Sequence, residues 1–282
     1  MEKNRSWYLG NRLWVEVFVV ANIAGLAGDI FLAHSTNSFR QSAEYVPLVF
    51  SLVAPLLLMP ALLALEAWSR PAPWRFLGQL VGWMSVAIGI AGMVFHLESH
   101  FFQERTLASL VYAAPFAAPL SYTGLGLLLI LNRMTDPESL EWAFWVLLLA
   151  LGGFAGNFVF SVTDHAQNGF FSWTEWIPVV SSALAVGFLA VPFLTQVSRR
   201  YLALCAVAMI LQALVGLLGF YFHGAADIRG PAPTLFQNAV YGAPLLAPLL
   251  FPDLVLLSFI GLWALYRHLP ASTPGPARCE GD

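Results

Sequence analysis

Residues 13–33 read LWVEVFVVANIAGLAGDIFLA. The hydrocarbon core of a bilayer is about 30 Å thick and takes roughly 20 helical residues to cross. This run has that length. It is too long, and too marked by Gly, Asn and Asp, for a cleavable signal peptide, so it is expected to stay in place as a membrane helix. Inside it lies Gly25-Leu26-Ala27-Gly28, and this small motif returns. The pair Gly25/Gly28 recurs as Gly89/Gly92, Gly153/Gly156 and Gly216/Gly219, at steps of 64, 64 and 63 residues, and three of the four copies read Gly-x-Ala-Gly. Small residues let helix backbones approach closely in lipid, where water supplies no driving force. Four copies at one period predict four tandem two-helix units.

Composition agrees with a membrane fold. Of the 282 residues, 59% are hydrophobic and 10% charged, with a mean hydropathy of +0.71. A soluble domain carries about 25% charged residues, which its wetted surface requires. Apolar runs between charged or proline-bearing breaks predict eight helices, near 13–33, 46–66, 77–97, 107–131, 141–162, 176–197, 201–222 and 238–267. The last is expected to kink or break at Pro252-Asp253. The fold class is therefore all-α and polytopic, with two pseudo-equivalent four-helix halves at 13–134 and 135–269. Residues 1–12 and 270–282 are read as short disordered extensions.

Orientation follows from the basic residues. Lys3, Arg5, Arg12, Arg70, Arg75, Arg133, Arg199, Arg200, Arg267 and Arg278 fall on one side, against Arg40, Arg105 and Arg229 on the other. Both termini are thus expected in the cytoplasm of a bacterial cell, with the chain in its inner membrane. The net charge of -3 comes with no cluster of Lys and Arg, which excludes nucleic acid as a partner. The partners expected are the bilayer, a small or lipid-soluble substrate, and further subunits. Cys205 and Cys279 are far apart and predict neither a disulfide nor a thiolate metal site.

The loops after the first and fifth helices match without a gap. One runs His34, Asn37, Phe39, Glu44, Tyr45, Val46, Pro47; the other runs His165, Asn168, Phe170, Glu175, Trp176, Ile177, Pro178. The second and fourth units share a different signature. His96-x3-His100 corresponds to His223-x3-Asp227, and Val111-Tyr112-x-Ala114-Pro115 corresponds to Val240-Tyr241-x-Ala243-Pro244. Both continue to a second proline, Pro119 and Pro248. Side chains four apart on a helix share one face, about 5–6 Å apart at Cβ, which suits two ligands of one metal.

His34, His96, His100, His165, His223 and Asp227 are therefore the expected metal ligands, converging on one mono- or dinuclear centre near the outer face. Asp29, Glu98 and Asp164 are the expected catalytic carboxylates, placed to move protons. Imidazole and carboxylate without thiolate suit Zn, Fe, Mn or Cu(II); a single haem b, with His96 and His223 as axial ligands, is the alternative cofactor. The plain counter-reading of any one histidine is an interfacial residue that contacts water or caps a carbonyl. Glu44 and Glu175 have a plain reading too, at the start of the next helix. Tyr45, Trp176, Tyr112 and Tyr241 fit an interfacial aromatic belt, and Pro47, Pro115, Pro178 and Pro244 fit first turns of helices. The function expected is metal-dependent oxidation or hydrolysis of a small or lipid-soluble substrate. A multi-pass transporter, or a haem-carrying anchor of a respiratory complex, is the other reading. No Walker A loop, HExxH, Gly-x-Ser-x-Gly or Rossmann fingerprint is present.

Overall fold

A computed structural model describes residues 10–63 and 73–270. The extensions expected at 1–12 and 270–282 lie almost wholly outside the described residues, as does Arg70. The described chain is helical, with no strand. In order the helices are α1 (Asn11–Ser35), α2 (Tyr45–Leu63), α3 (Pro73–Glu98), α4 (Phe101–Glu104), α5 (Leu107–Val111), α6 (Leu120–Met134), α7 (Leu140–Gln167), α8 (Trp176–Leu194), α9 (Arg199–Ile228), α10 (Leu235–Tyr241) and α11 (Leu250–His268). Among the described residues seven helical segments are long and apolar enough to cross a membrane. They correspond to α1, α2, α3, α7, α8, α9 and α11.

Polar caps set several of the helix starts. The hydroxyls of Ser139, Thr106, Thr234 and Ser198 accept bonds from the Trp142, Ser109, Gln237 and Tyr201 amides, at 3.1, 3.0, 3.2 and 3.2 Å. Each takes up one of the amides that the first turn leaves orphaned. The core is built on α1, α6, α7 and α11. Val15, Val19 and Ile23 of α1 and Ala143, Val146, Leu147, Ala150 and Phe154 of α7 are fully buried at helical spacing. The opposite faces carry exposed apolar residues, such as Leu204, Val207, Leu211, Leu214 and Leu218 of α9. Such stripes are what lipid contact requires.

The helix expected over 107–131 is not continuous. It is divided into α5, a connector over 112–119, and α6. Proline explains the break. Pro119 has no N–H to return to the Pro115 carbonyl, and the residue before a proline is pushed towards extended backbone. The last helix is likewise interrupted, but at 242–249 rather than at Pro252-Asp253. Pro252 is the third residue of α11, where its missing N–H would have found no partner in any case. Pro47 and Pro178 do sit in the first turns of α2 and α8, whereas Pro115 and Pro244 lie in the connectors.

Both glycines of the pair lie at close helix approaches in α3 and α9, and in α7 Gly153 does so against Leu254 of α11. A Cβ at Gly89 would overlap the Pro119 and Thr123 backbone, and one at Gly216 the Pro248 carbonyl and Phe251. In α1 and α7, Gly25 and Gly156 face open space.

Candidate functional site

The C-terminal ends of α1, α3, α7 and α9 gather at one end of the bundle, the histidine end, and the sequence-matched loops do matched work there. In the first loop the Phe39 amide bonds the His34 carbonyl at 3.0 Å; in the second the Phe170 amide bonds the His165 carbonyl at 3.1 Å. Phe39 and Phe170 take positive φ, 52° and 51°. Phe39 stacks on Tyr45 at 4.8 Å and Phe170 on Trp176 at 4.1 Å, which gives these aromatic pairs a packing role. A 3-10 turn then carries Glu44 or Glu175 back beneath the histidine.

His34 Nδ1 lies 3.4 Å from Glu44 Oε2, and His165 Nδ1 lies 3.8 Å from Glu175 Oε2. Both carboxylate oxygens are buried and have no hydrogen-bond partner. The other oxygen of Glu44 accepts from Asn37 Nδ2 at 2.9 Å and from the Gln41 amide at 3.3 Å. Glu175 is only 8% exposed. A buried, unpartnered carboxylate oxygen is costly and calls for a proton, a cation or a donor.

The second histidine of each half comes from the next long helix. His96 of α3 donates from Nδ1 to the Pro115 carbonyl at 2.9 Å, and His223 of α9 does the same to the Pro244 carbonyl at 2.9 Å. These carbonyls are the ones that Pro119 and Pro248 cannot serve as helical donors. Each also takes a 3.2 Å bond from the amide three residues on, Ala118 or Ala247. The His-and-double-proline signature is therefore one device: the proline pair opens a carbonyl and the histidine closes it. With Nδ1 so committed, the neutral ring keeps its lone pair on Nε2. None of the four Nε2 atoms has a hydrogen-bond partner among the described residues.

The rings of His34 and His96 meet edge to face, with centroids 6.1 Å apart. His96 also lies within electrostatic reach of Glu44. In the second half His165 interacts with His223, Glu175 and Asp164. Asp29 interacts with His34 and with Tyr122, whose hydroxyl bonds Ser51 Oγ and the Pro47 carbonyl.

Within the first half the rings of His34 and His96 meet, and within the second His165 lies within electrostatic reach of His223. Among the described residues no three His, Cys, Asp or Glu side chains stand ready around one point. His100 and Glu98 are exposed and apart from these pairs. The reason is local. α3 ends at Glu98, so His100 leaves the helix before completing the i, i+4 pair, and Ser99 Oγ accepts the Ala114 amide at 2.9 Å. In the second half α9 continues to Ile228, which keeps Asp227 on the helix, 3% exposed, with its carboxylate towards the Ala243 amide and against Gly242. Asp227 occupies the place that Ser99 takes in the first half.

At the opposite end lies a buried ionic cluster. Arg133 Nη2 donates to Glu16 Oε2 at 2.9 Å, and Asn132 Nδ2 donates to Glu16 Oε1 at 2.9 Å. Asn132 also reaches the Arg12 carbonyl at 3.1 Å, and Arg133 the Trp74 carbonyl at 3.3 Å. Arg75 donates to the Arg133 carbonyl at 3.1 Å, and the Arg133 side chain packs over Gly78. In sequence Arg133 reads as one more loop charge that sets orientation. The signal available was Glu16 itself, an acid inside an apolar run. Between the two ends, Asn22 Nδ2 donates to Asp253 Oδ1 at 2.8 Å and joins α1 to α11.

Comparison of the chain with protein-family models, with curated proteins and with solved structures finds no match in any of the three.

Proposed function

We propose that this chain is an integral membrane metalloprotein with two His/carboxylate sites, one in each half, near the outer membrane face. Its chemistry is oxidation or hydrolysis of a small or lipid-soluble substrate. In this reading α5 and α6 together make an eighth crossing, and the two four-helix halves are parallel repeats about an axis along the membrane normal. The basic-residue bias puts the histidine end outside.

The observation that carries the proposal is the pairing, in both halves, of a buried unpartnered glutamate oxygen with an imidazole. The second imidazole of each pair has its Nδ1 fixed on a carbonyl. A metal-bound histidine characteristically gives its other ring N–H to a carbonyl or carboxylate. Two ligands at about 2.1 Å from a tetrahedral metal stand about 3.4 Å apart, the separation of His34 Nδ1 and Glu44 Oε2. Three donors from separate elements can close on an ion by side-chain rotation and leave a position open for water or substrate. The bound metal would supply Lewis acidity or redox chemistry. Asp29 and Asp164 would accept protons beside it.

Elemental analysis and an absorption spectrum of the detergent-purified chain test this. Two metal equivalents per chain are expected, one lost in His34→Ala or Glu44→Gln and the other in His165→Ala or Glu175→Gln. Trace metal only, with no change in these variants, rejects the proposal. A transporter is the second reading, favoured by the Asn22–Asp253 bond inside the membrane-spanning region. It requires substrate flux in proteoliposomes that Asp253→Ala abolishes.

A further inference from the structure

We infer that the two sites are coupled, because each half rests the end of its first helix on the connector that fixes the other half's second histidine. The inference builds on the proposed metal sites and adds their mutual regulation. Gln167, in the last turn of α7 just beyond His165, donates from Nε2 to the Val111 carbonyl at 2.8 Å. Val111 closes α5, and the chain then enters the connector whose Pro115 carbonyl holds His96. Phe160, Thr163 and Asp164 of α7 line one crevice with Val111 of α5 and with Ala113 and Pro115 of that connector.

The reciprocal contact is on the other flank. Gly28 of α1 lies against Leu246, just beyond the Pro244 whose carbonyl holds His223. The Phe31 ring meets Phe236 of α10 with centroids 6.3 Å apart. One route therefore runs His165, Gln167, Val111, Pro115, His96; the other runs from His34 through Phe31 and α10 to Pro244 and His223. Each passes along short stretches of chain joined by one contact between the halves, Gln167 to Val111 in the first and Phe31 to Phe236 in the second.

An ion drawn between His34, His96 and Glu44 pins the first connector through the Pro115 carbonyl. That connector is the seat of α7, so the end of α7 that carries His165 is ordered at the same time. The second ion then meets less ordering cost, which is positive cooperativity without a change of fold. Couplings of this kind are typically about 5–150-fold in affinity.

The test is a Co²⁺ titration of the full chain in detergent, followed by its visible absorption, together with backbone hydrogen exchange. Two ions should bind with a Hill coefficient above 1. The double variant Gln167→Leu/Phe236→Ala should still bind two ions, with a Hill coefficient of 1. Without metal, Gln167→Leu alone should speed exchange of the amides over 112–116 roughly tenfold. Two ions bound independently by the unaltered chain would overturn the coupling and leave the metal sites standing. Absence of any bound ion would overturn the sites and the coupling together, and unchanged exchange over 112–116 in Gln167→Leu would overturn the route between them.

Discussion

Replacement of Arg133 by leucine should be among the most destabilising single changes in the chain. Glu16 is 0% exposed and holds two bonds, one from Arg133 and one from Asn132, each 2.9 Å. In Arg133→Leu the carboxylate loses its direct cationic partner and keeps the neutral amide of Asn132, with the Arg12 charge within electrostatic reach. Removing one partner of a buried ion pair costs about 3–5 kcal/mol, because the remaining charge is left in a poor solvent. Glu16→Leu should also destabilise, because it takes the carboxylate from the buried Arg133 guanidinium, which keeps the Trp74 carbonyl. Replacing both by apolar residues removes both charges, and such swaps are often neutral or better. The double variant Glu16→Leu/Arg133→Leu should therefore be more stable than either single variant, with a coupling energy of about 3 kcal/mol. Reversible unfolding in mixed micelles, titrated with SDS and followed by tryptophan fluorescence, gives all four corners of the cycle. Single costs below about 1 kcal/mol, or additive effects, would refute the account.

Three further outcomes follow from the packing. Gly89→Val drives a branched side chain into the Pro119 and Thr123 backbone and should cost at least about 1–3 kcal/mol; Gly25→Ala, facing open space, should change thermal stability by no more than about 0.5 kcal/mol. Tyr122→Phe loses the hydroxyl that bonds Ser51 and the Pro47 carbonyl, which should lower stability by about 1–3 kcal/mol in the same unfolding assay. A membrane-impermeant maleimide applied to intact cells should label Trp173→Cys and spare Thr195→Cys; the reverse pattern would invert the orientation.

The loops were legible because two copies could be laid side by side. His34, Phe39, Glu44 and Tyr45 recur as His165, Phe170, Glu175 and Trp176, and each recurrence has a contact behind it in the fold. His96 and Pro115 were visible as parts of one signature, but not as donor and acceptor. That link depends on a carbonyl, and side-chain patterns do not display carbonyls. For the same reason the break at 112–119 escaped a reading in which Pro115 opens a helix. Which histidines meet was also beyond the repeat. Periodicity says that four units are alike, but packing decides that α1 turns its end towards α3 and not across the molecule. The Glu16–Arg133 pair was missed because the first half alone carries it, and repeat matching is blind to a feature without a second copy.

The two connectors also shape the bilayer around them. α6 has 15 residues, about 22 Å of helix, whereas α9 has 30, about 45 Å. If α6 and its connector make one crossing, as proposed, the rest of that crossing is met by irregular backbone, which acyl chains do not solvate. In that reading headgroups and water dip there, and the hydrocarbon is thinner beside α6 than beside α9. A molecule diffusing among the lipid tails then finds its shortest passage to water along this flank, at the segment that grips His96.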